Sequence, residues 1–233
     1  MTQRMIEITS PSFIPEERLS PGSGPERFFD RRRALALEVG CGIGDFVIEM
    51  ARRQPETNFL AIDIYNKGCF KTCKKVDAAG LDNVRVLRME ARYLMNRYLR
   101  RESLSAVYVN CPDPWPKKRH RNRRLVNGEF LRMALFYLRP EGSFYFTTDF
   151  TDYAEAVAEL FPRQPGYHNC LGAPFVLDLP DYPRSKYMRR FLDQGLPIHF
   201  LHYRKQADFQ ADDSLPPDFQ AGFRTPLSQV GNG

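Results

Sequence analysis

From Ala34 the chain settles into an alternation that continues to about Tyr203. Short, nearly unbroken apolar runs stand at Ala34–Val39, Asn58–Ile64, Val84–Leu87, Ala106–Val109 and Ser143–Thr147. Between them lie longer stretches in which apolar positions recur at helical spacing. The first pattern reads as a strand buried on both faces, the second as an amphipathic helix. Helices are predicted over Asp45–Arg53, Lys67–Ala79, Ala91–Arg100, Asn127–Leu138 and Asp152–Leu160. Repeated strand–helix alternation predicts a doubly wound α/β fold, Rossmann-like, with a mostly parallel sheet covered by helices on both sides. Further strands within Phe175–Leu179 and Ile198–Tyr203 would close the sheet with a late antiparallel pair.

Both ends depart from this rhythm. Residues 1–33, with Ser20-Pro21-Gly22-Ser23-Gly24-Pro25, read as a flexible arm, and residues 206–233 as a disordered tail. That leaves 34–205 as the folded domain. A chain of 233 residues, 42% of them hydrophobic, carries one sizeable core rather than two. No apolar stretch approaches the roughly 18–20 residues that span a bilayer, and the first residues lack a signal-peptide core. A cytoplasmic protein without a membrane partner is the expectation. The five cysteines (Cys41, Cys69, Cys73, Cys111, Cys170) have no zinc-like spacing, so they read as reduced thiols and no metal site is expected. Nothing in the sequence points to an obligate protein partner.

Charge adds a location. The formal net charge is +6, and Lys117–Arg124 (Lys-Lys-Arg-His-Arg-Asn-Arg-Arg) holds six formal positive charges. The 28 basic residues elsewhere balance the 28 acidic ones. An excess focused in one segment, directly after a predicted strand end, suits a polyanionic partner such as RNA. Lys118, Arg119, Arg121, Arg123 and Arg124 are the candidate phosphate contacts.

In doubly wound folds the ligand sits beyond the carboxyl ends of the strands. The first strand runs into Glu38-Val39-Gly40-Cys41-Gly42-Ile43-Gly44-Asp45, where Gly40, Gly42 and Gly44 let the backbone turn tightly and approach a ligand. A dinucleotide fingerprint would have Gly or Ala at position 45, where this chain has Asp45, and it would not explain Glu38. Asp63, ending the second strand, suits the two hydroxyls of a ribose, and Glu90, after the third, suits an adenine amino group. Three carboxylates at successive strand ends fit a cofactor with adenosine and a cationic sulfonium but no pyrophosphate, namely S-adenosylmethionine. The ordered set resembles the class I methyltransferase pattern.

The fourth strand delivers Asn110-Cys111-Pro112-Asp113-Pro114-Trp115-Pro116 to the place where the transferable methyl would lie. Asn110 joins the cofactor set, and the prolines around Asp113 hold its carboxylate with little conformational freedom. Trp115, the single tryptophan, can stack on a nucleobase.

Pro112 through Arg124 resembles the Pro-Asp-Pro-Trp-x-Lys-x-Arg-His segment, followed by Lys/Arg-Arg, of the bacterial tRNA (guanine-N7-)-methyltransferases. Thr147–Glu155 is similar to that family's Thr-Asp-Trp-Glu-x-Tyr-Ala-Glu. The resemblance covers about residues 34–205 and implies methyl transfer from S-adenosylmethionine to N7 of a tRNA guanine, expected to be the variable-loop guanine. It implies that Glu38, Asp63, Glu90 and Asp113 line the cofactor site, with Asp113 also the candidate catalytic residue, and that Lys117 and Asp149 meet the target nucleotide. The family's Thr-Lys-Phe-Glu matches Ser185-Lys186-Tyr187-Met188, which adds Ser185, Lys186, Tyr187 and Met188 to the expected substrate set, with Met188 in place of a carboxylate. The alternatives are a related enzyme with another RNA target and a catalytically weak RNA-binding homologue.

Overall fold

The computed structural model describes residues 5–211; the tail predicted to be disordered lies mostly outside the described residues. Seven strands form one sheet: β1 (Ala34–Val39), β2 (Thr57–Asp63), β3 (Val84–Arg88), β4 (Leu104–Asn110), β5 (Leu138–Thr148), β6 (Tyr167–Asn169) and β7 (His199–Lys205). Their order is β3-β2-β1-β4-β5-β7-β6. The first five run parallel, while β7 is antiparallel to β5 and β6 antiparallel to β7. The chain reverses direction across the sheet between β1 and β4, which defines the switch point where a ligand is received.

Six α-helices connect the strands: α1 (Asp45–Arg53), α2 (Asn66–Ala78), α3 (Ala91–Tyr98), α4 (Gly128–Tyr137), α5 (Thr151–Ala158) and α6 (Lys186–Asp193). Because side chains alternate across a strand, each strand feeds two cores. Ala36, Phe59, Ala61 and Val86 meet Phe46 and Val47 of α1, Cys73 and Val76 of α2 and Met188 of α6 on one face. Leu35, Leu37, Leu60 and Leu87 meet α3, α4 and α5 on the other. No helix among the described residues is long and apolar enough to cross a membrane.

The central strands and first five helices lie where the periodicity places them, within two residues at each end, except that β5 begins at Leu138, ahead of the predicted Ser143. The antiparallel edge differs. Phe175–Leu179 makes a single bridge, Val176 to Phe200, and the outermost strand is instead Tyr167–Asn169. Pro174 and Pro180 flank the predicted run and lack the N–H donors a ladder needs. The helix at Lys186–Asp193 has no counterpart among the predicted elements, because its run of charged residues hides the short buried face.

The arm is packed over the part described. Ile14 N donates to Val86 O at 2.9 Å and Val86 N to Ser12 O at 2.8 Å, which covers the exposed edge of β3. Ile14, Leu19 and Phe29 are buried in the core, and Glu16 accepts from the hydroxyls of Tyr93 and Tyr98. A Pro- and Gly-rich composition therefore coexists here with a segment anchored by a few apolar residues.

Candidate active site

The candidate cofactor half lies at the carboxyl ends of β1, β2 and β3. Gly40, Gly42 and Gly44 have φ of 76°, 57° and 81°, the left-handed region that glycine enters without strain. Gly42 N donates to Asp63 Oδ2 and Tyr65 N to Asp63 Oδ1, both at 2.8 Å, so the β2 carboxylate braces the loop that follows β1. A Cβ on Gly44 would stand 2.7 Å from Thr72, and one on Gly68 would stand 2.6 Å from Gly42 O. A Cβ on Gly40 would meet nothing within 4 Å, so the loop backbone there is open for approach.

Glu38 is 1% exposed. Its Oε1 accepts weakly from Asn110 Nδ2 at 3.4 Å, and its Oε2 is buried with no hydrogen-bond partner among the described residues. Burial pushes the carboxyl up to about 8, with Asp63 and Asp45 adding repulsion and Asn110 opposing the shift. Burial also raises Asp63, against the backbone N–H bonds from Tyr65 and Gly42, and the charge of Asp113 adds to that rise. Asp113 thus acts across the site on the β2 carboxylate. Glu90 caps α3, accepting from Tyr93 N at 3.0 Å and from Arg92 Nε at 2.7 Å.

Across the switch point, Asn110 ends β4 as a hub. Its Oδ1 accepts from Tyr182 Oη at 2.7 Å and from Thr147 Oγ1 at 3.3 Å, which turns its Nδ2 toward Glu38. Cys111 and Trp115 have φ of 45° and 42°, left-handed conformations that cost non-glycine residues on the order of 1–3 kcal/mol each. They bracket Asp113, which is exposed. Asp149 sits half-buried after β5, and its charge adds to the burial that pushes the neighbouring Cys111 thiol up to about 12.

The basic run forms a 3-10 turn over Lys118–Arg123. Lys117, Lys118, Arg119, Arg121 and Arg123 are exposed, with Arg121 paired to Asp152. Arg123 lies over the Trp115 ring, 5.0 Å from its centroid. Arg124, expected to touch phosphate, is a correction. It is 5% exposed, donates to Pro114 O at 2.9 Å and to Asp152 Oδ1 at 2.5 Å, and lies 4.5 Å from the Tyr153 ring centroid. Its guanidinium pins the Pro-Asp-Pro-Trp turn to α5 and has little left to offer RNA.

Ser185 caps α6 by accepting from Met188 N at 3.2 Å. Lys186 and Tyr187 are exposed, and Tyr187 reaches over the glycine loop, 3.7 Å from where a Cβ on Gly42 would stand. Met188, expected in the substrate set, is the second correction: it is fully buried in the α1–α2 core, because the helix turns this position toward the sheet.

A family model described as "Putative methyltransferase" matches residues 32–201. The tRNA (guanine-N(7)-)-methyltransferase of Syntrophotalea carbinolica is 54% identical over 228 residues, 98% of each chain. The enzyme of the same name from Geobacter metallireducens is 50% identical over 207 residues, 88% of this chain and 98% of its own. The chain belongs to the tRNA (guanine-N(7)-)-methyltransferase family. Among solved structures, the 16S rRNA methyltransferase KamB superposes with a TM-score of 0.57 at 18% identity, covering 78% of this chain and 90% of that one. At that identity the likeness extends to the fold.

In this methyltransferase the fold gathers Glu38, Gly40, Gly42, Gly44, Asp63 and Asn110 at one switch point, brings Asp113 within electrostatic reach of Asp63, and sets Tyr187 against the loop. Glu90 ends the adjoining strand, held at its own helix start. Sequence reasoning missed Tyr182, which stands in a Pro-flanked loop distant in sequence from Asn110 and carries no motif of its own. It also missed Gly68, although a glycine in the first turn of a helix, where it weakens the helix, is itself a signal of close backbone approach.

Proposed function

We propose that the protein transfers a methyl group from S-adenosylmethionine to N7 of a guanine in tRNA, with the variable-loop guanine as target and the cytoplasm as location. The observation that carries this reading is the Asn110 hub, which ties the buried carboxyl of the cofactor half to the strand ends that flank the Pro-Asp-Pro-Trp turn. The residues fit the cofactor. Glu38 offers a buried oxygen lacking a donor, Gly40 leaves open space, and Asp63 keeps lone pairs beyond the two N–H groups it accepts. Asp63 would hold the ribose hydroxyls, Glu90 the adenine amino group, and Glu38 with Asn110 the cationic end. When bound, the cofactor supplies an electrophilic methyl on a positively charged sulfur.

The chain needs no general base for this reaction, since guanine N7 already carries an in-plane lone pair. Its residues align the base and exclude water. Asp113 and Asp149 accept from guanine N1–H and its amino group and complement the positive charge the ring gains. Lys117, Lys118, Arg119, Arg121 and Arg123 hold phosphates, which sets affinity and register rather than base identity. Ser185, Lys186 and Tyr187 would border the target from the other side of the glycine loop.

The test is incubation with labelled S-adenosylmethionine and unmodified tRNA, followed by mapping of the methylated base. Label at N7 of the variable-loop guanine is expected. Label on another base overturns the N7 assignment, and no label despite cofactor and tRNA binding favours a weak RNA-binding homologue.

A further inference from the structure

The fold assembles a second concentration of positive charge that no stretch of the sequence contains. A cleft of about 610 Å³ opens between α1, the end of α2 and the segment leading into α6. Arg52, Arg53, Lys75, Arg184 and Arg189 line it, against only Asp45 and Glu49. Five cations against two carboxylates leave the lining at +3, or +2 once Asp178, which pairs with Arg184 from outside, is included. Both lining carboxylates are engaged: Glu49 with Arg53 at 2.8 Å, and Asp45 with Lys75 and Arg189 together. Arg52 is exposed and has no hydrogen-bond or ionic partner among the described residues. An uncompensated surplus of this kind raises the local concentration of anions.

Placement identifies the class of anion. The cleft belongs to the face covered by α1, α2 and Met188 of α6. The Lys118–Arg123 turn is fixed through Arg124 to Asp152 and Tyr153 of α5, on the opposite face. The glycine loop and the Asp113 turn occupy the rim between the two. A polyanion laid across this rim to present one base meets both basic regions, whereas a small anion meets only one. Tyr187, in the first turn of α6 and against Gly42, links the cleft to the rim.

We propose that the α1–α6 cleft is a second anchoring site for the tRNA sugar–phosphate backbone, engaged together with Lys118–Arg123, with Arg52 and the Lys75–Arg189 pair as its phosphate contacts. The proposal rests on the tRNA reading above. Cations interleaved with carboxylates along an open cleft suit phosphates spaced along a strand rather than one enclosed anion.

The experiment is binding of an unmodified tRNA transcript to the full chain across a salt series, with thermal melting to report that each variant folds. For Arg52→Ala/Lys75→Ala the slope of log Kd against log salt is expected to fall by about two, with Kd at low salt raised roughly tenfold. Arg52→Glu, which touches no buried group, is expected to weaken binding on its own. Lys118→Ala/Arg119→Ala serves as the comparison. If it weakens binding while both Arg52 variants match the wild type in Kd and slope, the cleft proposal is overturned and the tRNA reading stands. If the wild type itself fails to bind tRNA, both fall.

Discussion

The candidate cofactor half of the site and its candidate target rim are built in opposite ways. At the ends of β1 to β3, each functional group sits on a strand end or in the loop it feeds. Asp63 braces Gly42 within one βαβ unit, and Glu38 meets Asn110 across the switch point. The candidate target rim is assembled from β4 and the 3-10 turn that follows it, together with α5 and α6 from much farther along the chain. There, residue type is a poor guide to exposure. Arg124 and Met188 point inward, while Tyr182, with no motif around it, completes the Asn110 hub. A side chain's role at the rim is decided by which way its element is turned.

The largest effect that bears on this contrast is expected at Met188. Met188→Glu would bury a carboxylate among apolar side chains of the α1–α2 core, a loss of about 3–5 kcal/mol in stability for an unpaired buried charge. Thermal or urea unfolding would show it, and a gain of tRNA methylation at unchanged stability would contradict the inward orientation. Arg124→Ala is expected next, at roughly 2–3 kcal/mol, because charged hydrogen bonds to Pro114 O and Asp152 are lost in a buried setting. Lys118→Ala, fully at the surface, should stay within about 0.5 kcal/mol. Equal losses from the two would erase the distinction between pin and surface cation.

Glu38 tests the cofactor half. Its carboxyl, pushed up to about 8, is mostly protonated at neutral pH in the free protein. Pairing with a cationic cofactor favours the ionised form, so affinity for S-adenosylmethionine should rise by up to tenfold per pH unit below about 8 and level off above it. Calorimetry at pH 7 in buffers of different ionisation heat would register release of close to one proton, and Glu38→Gln would abolish the release. The stability sign runs the other way. A raised carboxyl means the folded state holds the proton more tightly than the unfolded one, so this group's contribution to the free protein is retained at low pH and lost as pH rises from about 4.5 to about 8. An apo stability flat across that window would refute the raised, buried carboxyl.

Within the cofactor half, a smaller effect is expected at Tyr182. Removing its hydroxyl in Tyr182→Phe frees the Asn110 amide to turn, a change of about 0.5–1.5 kcal/mol. It should appear as weaker cofactor binding with a shifted pH profile, since Glu38 loses its oriented donor. A variant with the wild-type pH profile would make Tyr182 packing alone.

The sequence made the central sheet legible because buried parallel strands and amphipathic helices impose short-range periodicities, and because the glycine loop and strand-end carboxylates belong to single units. It was less informative where pairing is non-local. Phe175–Leu179 has strand-like side chains, but its flanking prolines leave one bridge, and the three-residue partner at Tyr167–Asn169 is too short to carry a pattern. The arm carries a loop-like composition, yet Ile14 ties it to β3 and Glu16 ties it to Tyr93 and Tyr98 of α3.

By itself, then, the sequence determined the fold class, the placement of carboxylates at the ends of the first three strands and the existence of one basic segment, all properties of contiguous residues. Only the tertiary structure decided that Arg124 and Met188 are interior, that Tyr182 reaches Asn110, and that five cations from three helices and a loop share one cleft. Burial and charge density depend on the distances between remote segments, and those distances are set by packing.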